Sequence, residues 1–180
     1  MKCTLTWFRW SLFAVAVTLL TYSTGVYLET YLFQQQKLPV FLHQGSDVPP
    51  VAGLIGRLEV TRLGLSAIVM EGTGTAVLRH AAGHIAGTPL PGQPGNTGIS
   101  AHRDTLFRPL RNIRMRDVIT LTTPQGTYKY SVRSTQIVEP ENITVLASGP
   151  GETLTLVTCY PFYFIGPAPK RFIVTAKRIL

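Results

Sequence analysis

The sequence predicts an all-β domain, either a closed barrel or a sandwich, that follows one N-terminal helix. Three observations support this prediction. From Leu54 onward the chain consists of short runs that alternate apolar and polar residues, as half-buried strands do. Glycine and proline turns separate these runs. Almost no stretch beyond Leu54 has the periodicity of a helix, so we expect few and short helices in this domain.

The N-terminal helix is predicted from Trp10–Leu28, a run of 19 residues without a charge. At about 1.5 Å per residue, a helix of this length just crosses a hydrocarbon core of roughly 30 Å. Lys2, Arg9 and the α-amine precede the run, so the positive-inside rule places the N-terminus in the cytoplasm. Aromatic residues lie at both ends of the run, as an interfacial belt would: Trp7, Trp10, Tyr27 and Tyr31.

This reading divides the chain into four parts. We expect a cytoplasmic tail over residues 1–9, a transmembrane signal anchor over 10–30, a polar and proline-containing linker over 31–52, and an extracytoplasmic domain over 53–180. The first part of the linker is a possible continuation of the helix. A cleaved signal peptide is the alternative, although Ser23-Thr24-Gly25 fits a peptidase site weakly.

Two hairpins are predicted in the domain. The first joins Leu58–Thr61 to Leu65–Met70, and the second joins Val118–Thr122 to Tyr128–Val138 through a turn at Pro124-Gln125-Gly126. Between the hairpins we expect a short helix over Ala76–Ala81 with Thr75 as its N-cap, and one helical turn over Thr105–Arg111.

A second group of signals concerns the strand ends. Gly87–Gly98 is rich in glycine and proline and predicts a rigid loop, which leads into a very short strand that ends at His102. Thr153–Val157 predicts a strand with Cys159 just beyond it, and the chain turns at Tyr160-Pro161. Arg171 opens the next predicted strand.

Composition limits the classes of partner. The net charge is +8, and from Val51 onward 14 Lys and Arg face 7 Asp and Glu, which leaves the domain at +7. Such a balance favours anionic surroundings. The densest basic cluster, however, lacks any zinc-finger, helix-turn-helix or RNA-binding motif, so we expect a solvated basic face and no nucleic acid. It comprises Arg103, Arg108, Arg111, Arg114 and Arg116.

The two cysteines indicate a free thiol and not a disulfide. If the apolar run spans a membrane, Cys3 and Cys159 lie on opposite sides of it and cannot pair. The chain has no zinc-ligand spacing, no phosphate-binding loop and no placed carboxylate pair, so we expect no metal and no cofactor. Cys159 is either a buried small apolar residue or a nucleophile.

A cysteine nucleophile needs a base or a cation nearby. We expect His102 to be that base, because a barrel brings strand ends together at one rim, with His84 as the second choice. Arg171 is a candidate donor to the oxyanion that forms on an attacked carbonyl, although it is equally compatible with surface charge. Asp104 either orients His102 or caps the turn that follows, and we favour the cap.

These residues resemble the sortases, which are membrane-anchored cysteine transpeptidases of bacterial envelopes. The resemblance covers nearly all of Leu54–Ala176, and three segments carry it: GLSAIVMEGT, LPGQPGNTGISAHRDTLFRPL and TLTLVTCYPFYFIGPAPKRFIV. The last is the most specific, because it contains the TLxTC strand end and the arginine that opens the next strand. The Cys-Tyr-Pro-Phe sequence and the single-domain layout are most similar to class D sortases, including the Gram-negative set.

The resemblance implies a closed eight-stranded sortase-type β-barrel with short connecting helices. It implies that Cys159 is the nucleophile, His102 the proton-transfer residue and Arg171 the oxyanion or substrate-positioning residue. It also implies a secreted protein substrate with a C-terminal LPxTG-like sorting signal, an amine acceptor on an envelope polymer or protein, and a location in the bacterial cytoplasmic membrane. Hydrolysis with water as acceptor, and a non-catalytic envelope-binding barrel, are the alternatives.

Contacts with substrate are predicted beside the thiol. We expect them from Thr158, Tyr160 and Phe162. Four aromatic side chains follow Cys159, and we expect at least half of them to pack against the domain instead: Tyr160, Phe162, Tyr163 and Phe164.

Overall fold

The computed structural model describes residues 2–42 and 53–179, with a single helix followed by a β-barrel. Helix α1 covers Lys2–Leu42, so the helix continues well into the predicted linker, while residues 43–52 of that linker lie outside the described residues. Within α1, Arg9–Gln35 is long and apolar enough to cross a membrane. The predicted span of residues 10–30 therefore falls within one unbroken helix.

Eight strands form a closed barrel, as the resemblance implies. They are β1 (Leu54–Val60), β2 (Leu65–Glu71), β3 (Ala82–His84), β4 (Gly95–Ser100), β5 (Val118–Thr123), β6 (Gly126–Val138), β7 (Glu152–Tyr160) and β8 (Lys170–Ile179). Their order around the barrel is β1-β2-β3-β4-β7-β8-β6-β5. Both predicted hairpins are confirmed, since β1 pairs with β2 and β5 with β6 in antiparallel register.

The helical connections are short. Helix α2 covers Thr75–Leu78, and 3-10 helices cover Thr61–Leu63, Arg108–Asn112 and Ile143–Leu146. The predicted cap at Thr75 is wrong: Thr75 is the first residue of α2, Gly74 occupies the cap position, and no side chain caps the helix. The predicted loop over Gly87–Gly98 is too long, because β4 begins at Gly95. Within β4, Gly95 and Gly98 lie where other chain segments approach the strand closely.

One pairing matters most for the site. Strands β4 and β7 are adjacent and parallel, although the whole segment from residue 101 to 151 separates them in sequence. A parallel pair requires such a crossover connection. Strand β8 then pairs with β7 in antiparallel register on its other side. The ends of β4 and β7 and the start of β8 therefore lie side by side at one rim.

The barrel interior is mostly apolar. Its centre includes Leu58, Leu121, Leu154 and Leu156, which are fully buried. Phe107, from the segment that follows β4, joins the same core. Burying side chains of this size contributes roughly 1.5–3 kcal/mol each, so the segment after β4 is held firmly against the barrel end.

Helix α1 contacts the barrel beside β2. The Gln34 side chain accepts a hydrogen bond from the Ile68 amide at 2.9 Å and donates one to the His80 carbonyl at 2.7 Å. The rings of Phe33 and His80 stack with centroids 5.5 Å apart, and Glu29 lies 3.6 Å from Arg79. The end of the apolar helix is thereby attached to the folded domain.

Candidate active site

Two of the predicted catalytic residues lie on adjacent strands at one rim of the barrel, and His102 follows the end of the strand beside them. Cys159 on β7 and Arg171 on β8 are direct partners in the antiparallel ladder. Directly opposed residues of such a pair project from the same face of the sheet. The thiol and the guanidinium therefore share one face, and both side chains are half-buried.

His102 follows strand β4, which lies on the other side of β7 from β8. The β4–β7 ladder pairs Gly95 with Glu152 through to Ser100 with Val157, a constant offset. A further bond from the Ala101 amide to the Val157 carbonyl, at 3.3 Å, extends the ladder by one step. If this register is extrapolated by one more residue, His102 would be level with Cys159.

The alternation of side chains orients this pair. Ala101 and Thr158 are buried, with 4% and 2% of their surfaces exposed, and Ala101 belongs to the core. Successive residues of a strand point to opposite faces. His102 follows Ala101 and Cys159 follows Thr158, so both of these side chains point out of the barrel. His102 is exposed.

Thr158 holds the two strand ends together. Its hydroxyl donates a hydrogen bond of 2.7 Å to the Ala101 carbonyl, inside the barrel. A buried side chain with this partner is not placed to contact a substrate, in contrast to the sequence-based expectation. The hydrogen bond instead fixes the position of Ala101, the residue before His102.

Two other sequence-based expectations near His102 differ from the structure. Asp104 forms no side-chain hydrogen bond with any described residue, so it neither orients His102 nor caps the following turn. His84, the second choice for the base, lies in strand β3 and is 3% exposed. Its ring nitrogens contact Glu71 at 2.8 Å and Thr88 at 3.0 Å, which leaves it committed to the barrel wall and away from Cys159.

Arg171 keeps donors available. Its Nη1 donates to the carbonyls of Ala168 at 3.3 Å and Lys170 at 3.1 Å, which fixes the guanidinium at the base of the loop. Among the described residues, neither Nε nor Nη2 has an acceptor. A guanidinium is permanently charged and offers donors in a rigid fork, so these two nitrogens suit a developing oxyanion.

The segment 161–169, which we name the β7–β8 loop, encloses the site on one side. At its start, Tyr160 stacks on Phe172 with centroids 6.4 Å apart, and Phe162 packs on Phe172 at 5.3 Å and against the core. Tyr160 and Phe162 thus pack as at least half of the aromatic residues were expected to do. The more exposed apolar groups are Tyr163 (75%) and Ile165 (99%).

A second segment, the Ile143–Leu146 helix, covers the outer face of β4 and β7 at Asn96, Gly98 and Thr155. Asn96 donates to the Val145 carbonyl at 3.1 Å and accepts from the Thr155 hydroxyl at 2.8 Å, which ties the Ile143–Leu146 helix to both strands. At Gly98, a Cβ atom would lie only 3.0 Å from Leu146 Cδ2. The glycine therefore permits close packing of this segment over the strand.

Sequence reasoning treated the five arginines after His102 as a solvated face, and Arg103 differs from this expectation because it is half-buried. Arg103 Nη2 donates to the carbonyls of Phe164 at 2.7 Å and Gly166 at 3.0 Å, and Arg111 lies 5.6 Å from the centre of the Tyr163 ring. The only sequence signal for this role is the position of Arg103 directly after His102.

One large cleft lies away from these residues. It has a volume of about 1260 Å³ and separates α1 from the barrel, and His102, Cys159 and Arg171 do not line it. One wall consists of residues of the apolar span, such as Leu19 and Tyr22. A bilayer around that span would occupy this space with lipid, so we place no substrate there.

Among the described residues, no cluster of three or more His, Cys, Asp or Glu side chains could hold a metal ion.

Comparisons with known proteins show the family of the chain. The family model of the sortase domain matches residues 58–179. Sortase D of Bacillus subtilis is 31% identical over 138 residues, which are 76% of this chain and 70% of the relative. Sortase A of Listeria monocytogenes is 28% identical over 136 residues, 72% of this chain and 61% of the relative.

Solved structures show the same fold. The Sortase D5 transpeptidase of Clostridium perfringens superposes with a TM-score of 0.71 at 24% identity, over 82% of this chain and 98% of that chain. The Pilus Island 1 Sortase C2 of Group B Streptococcus superposes with a TM-score of 0.67 at 28% identity, over 73% and 77% of the two chains.

Proposed function

The chain belongs to the sortase family of cysteine transpeptidases, and from this premise we propose that it cleaves an LPxTG-like sorting signal through a Cys159 thioester and transfers the acyl group to an amine. The observation that supports the proposal is the register of three adjacent strands: Cys159 and Arg171 are direct partners, and His102 follows the end of the strand on the other side of Cys159. No other thiol in the described barrel competes for this role.

The acylation step follows from the positions of the three residues. The Cys159 thiol passes its proton to His102, the sulfur attacks the scissile carbonyl carbon, a C–S bond forms, and negative charge builds on the carbonyl oxygen. Arg171, through Nε and Nη2, stabilises this oxyanion. The C–N bond then breaks, and His102 donates a proton to the departing amine, which leaves a thioester on Cys159.

The second step reverses the roles. An acceptor amine attacks the thioester carbon, His102 takes the proton from the nitrogen, and the Cys159 sulfur leaves as the new amide forms. His102 is the exposed member of the three, so it can exchange protons with an incoming amine without a change in the barrel.

The donor peptide is proposed to lie across the ends of β4 and β7 beside Cys159, past the part of these strands that the Ile143–Leu146 helix covers. This region is bounded by the Ile143–Leu146 helix on one side and the β7–β8 loop on the other. Exposed apolar groups stand on both boundaries, Ile143 at 77% and Ile165 at 99% exposure. We propose that these, and not Thr158, offer apolar contacts to the sorting signal.

We further propose that the enzyme is a single-pass protein of the bacterial cytoplasmic membrane with its barrel outside the cytoplasm. Support comes from the span Arg9–Gln35 and from the basic residues before it. The substrate would then be a secreted protein, and the acceptor an amine on an envelope polymer or protein. The net charge of the barrel suits an anionic envelope.

The test asks whether the enzyme transfers the acyl group to an amine or to water. Full-length protein in detergent micelles is incubated with a fluorescent LPxTG-containing peptide, with and without a primary amine such as triglycine. The proposal predicts an amide product that contains the amine, identified by mass spectrometry. Products that contain only added water, even at high amine concentration, would make the protein a peptidase. Absence of cleavage with LPxTG and related peptides would contradict the proposed substrate.

A further inference from the structure

The β7–β8 loop has few attachments of its own. It connects Cys159 to Arg171, and its only backbone-to-backbone hydrogen bond outside the strands, among the described residues, is from the Phe164 amide to the Pro161 carbonyl at 3.4 Å. The exposed tip of the loop therefore depends on side chains from elsewhere to keep its position.

Arg103 supplies that attachment. Its Nη2 donates to two loop carbonyls, those of Phe164 at 2.7 Å and Gly166 at 3.0 Å. Its guanidinium also lies 5.9 Å from the centre of the Phe164 ring. Hydrogen bonds from a cation are stronger than neutral ones, and a guanidinium over an aromatic ring adds to them.

The burial of Arg103 indicates that the contact is specific. Nη1 is buried and has no acceptor among the described residues. No carboxylate pairs with Arg103 there either. The two loop carbonyls and the ring are thus what offsets the loss of water around this cation. Arg108, five residues further along, is exposed and has no side-chain partner among the described residues.

The sequence position of Arg103 links the loop to the base. Arg103 directly follows His102, and Phe107 anchors this segment in the core. Arg111, from the same segment, lies over the ring of Tyr163. The segment that carries His102 therefore also fixes the loop that joins the other two catalytic residues.

We propose that Arg103 is a positioning residue that holds the β7–β8 loop against the His102 segment and so fixes the wall of the substrate groove. The kinetic part of this inference rests on the proposed function, and the part on loop position does not. The proposal assigns Arg103 no contact with the reacting atoms. Its loss should weaken donor binding and leave the reactivity of the thiol in place.

The experiment uses the full chain in detergent micelles and compares Arg103→Met with Arg108→Met. Methionine keeps an apolar stem and removes the charge and the donors. In Arg103→Met we expect chymotrypsin to cleave within 160–170, mapped by mass spectrometry, about tenfold faster or more, because loss of charged hydrogen bonds raises the open population of the loop. Arg108→Met should match wild type.

Two further measurements separate positioning from a general structural role. The KM for the donor peptide should rise roughly tenfold in Arg103→Met, while alkylation of Cys159 by iodoacetamide stays within about twofold of wild type, since the ladder still holds the strand ends. Arg103→Lys keeps the charge and should recover part of both the loop protection and the KM.

Three results would overturn the proposal: unchanged cleavage of the loop, an unchanged KM, or a changed rate of Cys159 alkylation. The last would show that Arg103 acts on the thiol and not on the loop. If wild-type protein shows no turnover of any sorting peptide, the proposed function fails, but proteolysis and alkylation still decide the role of Arg103.

Discussion

Cys159 and Arg171 face each other directly across the β7–β8 ladder, and the twelve-residue separation in sequence is closed by one loop. Backbone hydrogen bonds of the two strands position the main chain of this pair, and the bonds from Arg171 Nη1 to the Ala168 and Lys170 carbonyls hold the guanidinium. Because the barrel sets the strand positions, substitutions at either residue should report on chemistry more than on folding.

Arg171→Ala should lower kcat/KM for a sorting peptide by about 10²–10³-fold, the usual consequence of losing an oxyanion donor. Arg171→Lys should fall between this variant and wild type, because lysine keeps the charge but not the fork of donors. Steady-state kinetics on the full chain test this, with circular dichroism to confirm the fold. Activity of Arg171→Ala within threefold of wild type would exclude the assigned role.

Thr158→Val tests whether the Thr158 hydroxyl positions His102 for catalysis or only stabilises the fold. The substitution keeps the shape and removes the bond to the Ala101 carbonyl, which costs about 1 kcal/mol of the free energy of unfolding. We expect kcat to fall several-fold with little change in KM. Thr155→Val is the control, since Thr155 is equally buried and loses a bond to Asn96, but it lies farther from His102. Equal losses of kcat in both variants would count against the placement argument.

Gly83→Ala tests the close packing of the barrel. A Cβ atom at Gly83 would lie 2.2 Å from the carbonyl oxygen of Gly72, a backbone atom that cannot move aside without disturbing β3. We expect the free energy of unfolding to fall by about 2 kcal/mol or more. Gly74→Ala is the matched control: nothing lies within 4 Å of its Cβ position, so we expect a change below about 1 kcal/mol. A Gly83→Ala variant as stable as Gly74→Ala would contradict the packing.

The hydrogen bonds of Asp117 predict that the free energy of unfolding depends on pH. Its carboxylate accepts hydrogen bonds from the Arg62 guanidinium and from the Arg114 amide, and these lower the pKa of Asp117 below its usual value. A lowered folded-state pKa stabilises the protein fully above the unfolded-state pKa of about 3.9. This contribution is lost as the pH falls through the folded-state pKa.

Asp117→Asn should therefore melt several degrees below wild type at pH 7, and the difference should shrink as the pH falls below about 4. Thermal unfolding from pH 3 to pH 7, followed by circular dichroism, measures this difference. A gap between the two melting temperatures that widens on acidification would show that the sign is wrong.

Local patterns predicted much of the fold. Alternation and turn residues located both hairpins, and the uncharged run located the helix, because these signals are local in sequence. The β4–β7 pairing was not predictable in this way. It joins Ser100 to Val157 across a long crossover, and the register depends on the closure of the barrel.

The site shows the same division. Strand-end positions pointed to His102, Cys159 and Arg171, and the register supports their proximity. Thr158 was misplaced as a substrate contact because the sequence does not show which side of β7 faces the core at its end. Arg103 was overlooked because its partners are main-chain carbonyls, and a carbonyl gives no signature in sequence.

The most direct test of the central claim is the intact mass of the full chain after incubation with an LPxTG-containing peptide in the absence of an amine. We predict a mass increase equal to the acyl part of the peptide, located on Cys159, absent from Cys159→Ala and discharged as an amide when an amine is added. Processing of the peptide by Cys159→Ala, or an adduct on another residue, would contradict the assignment.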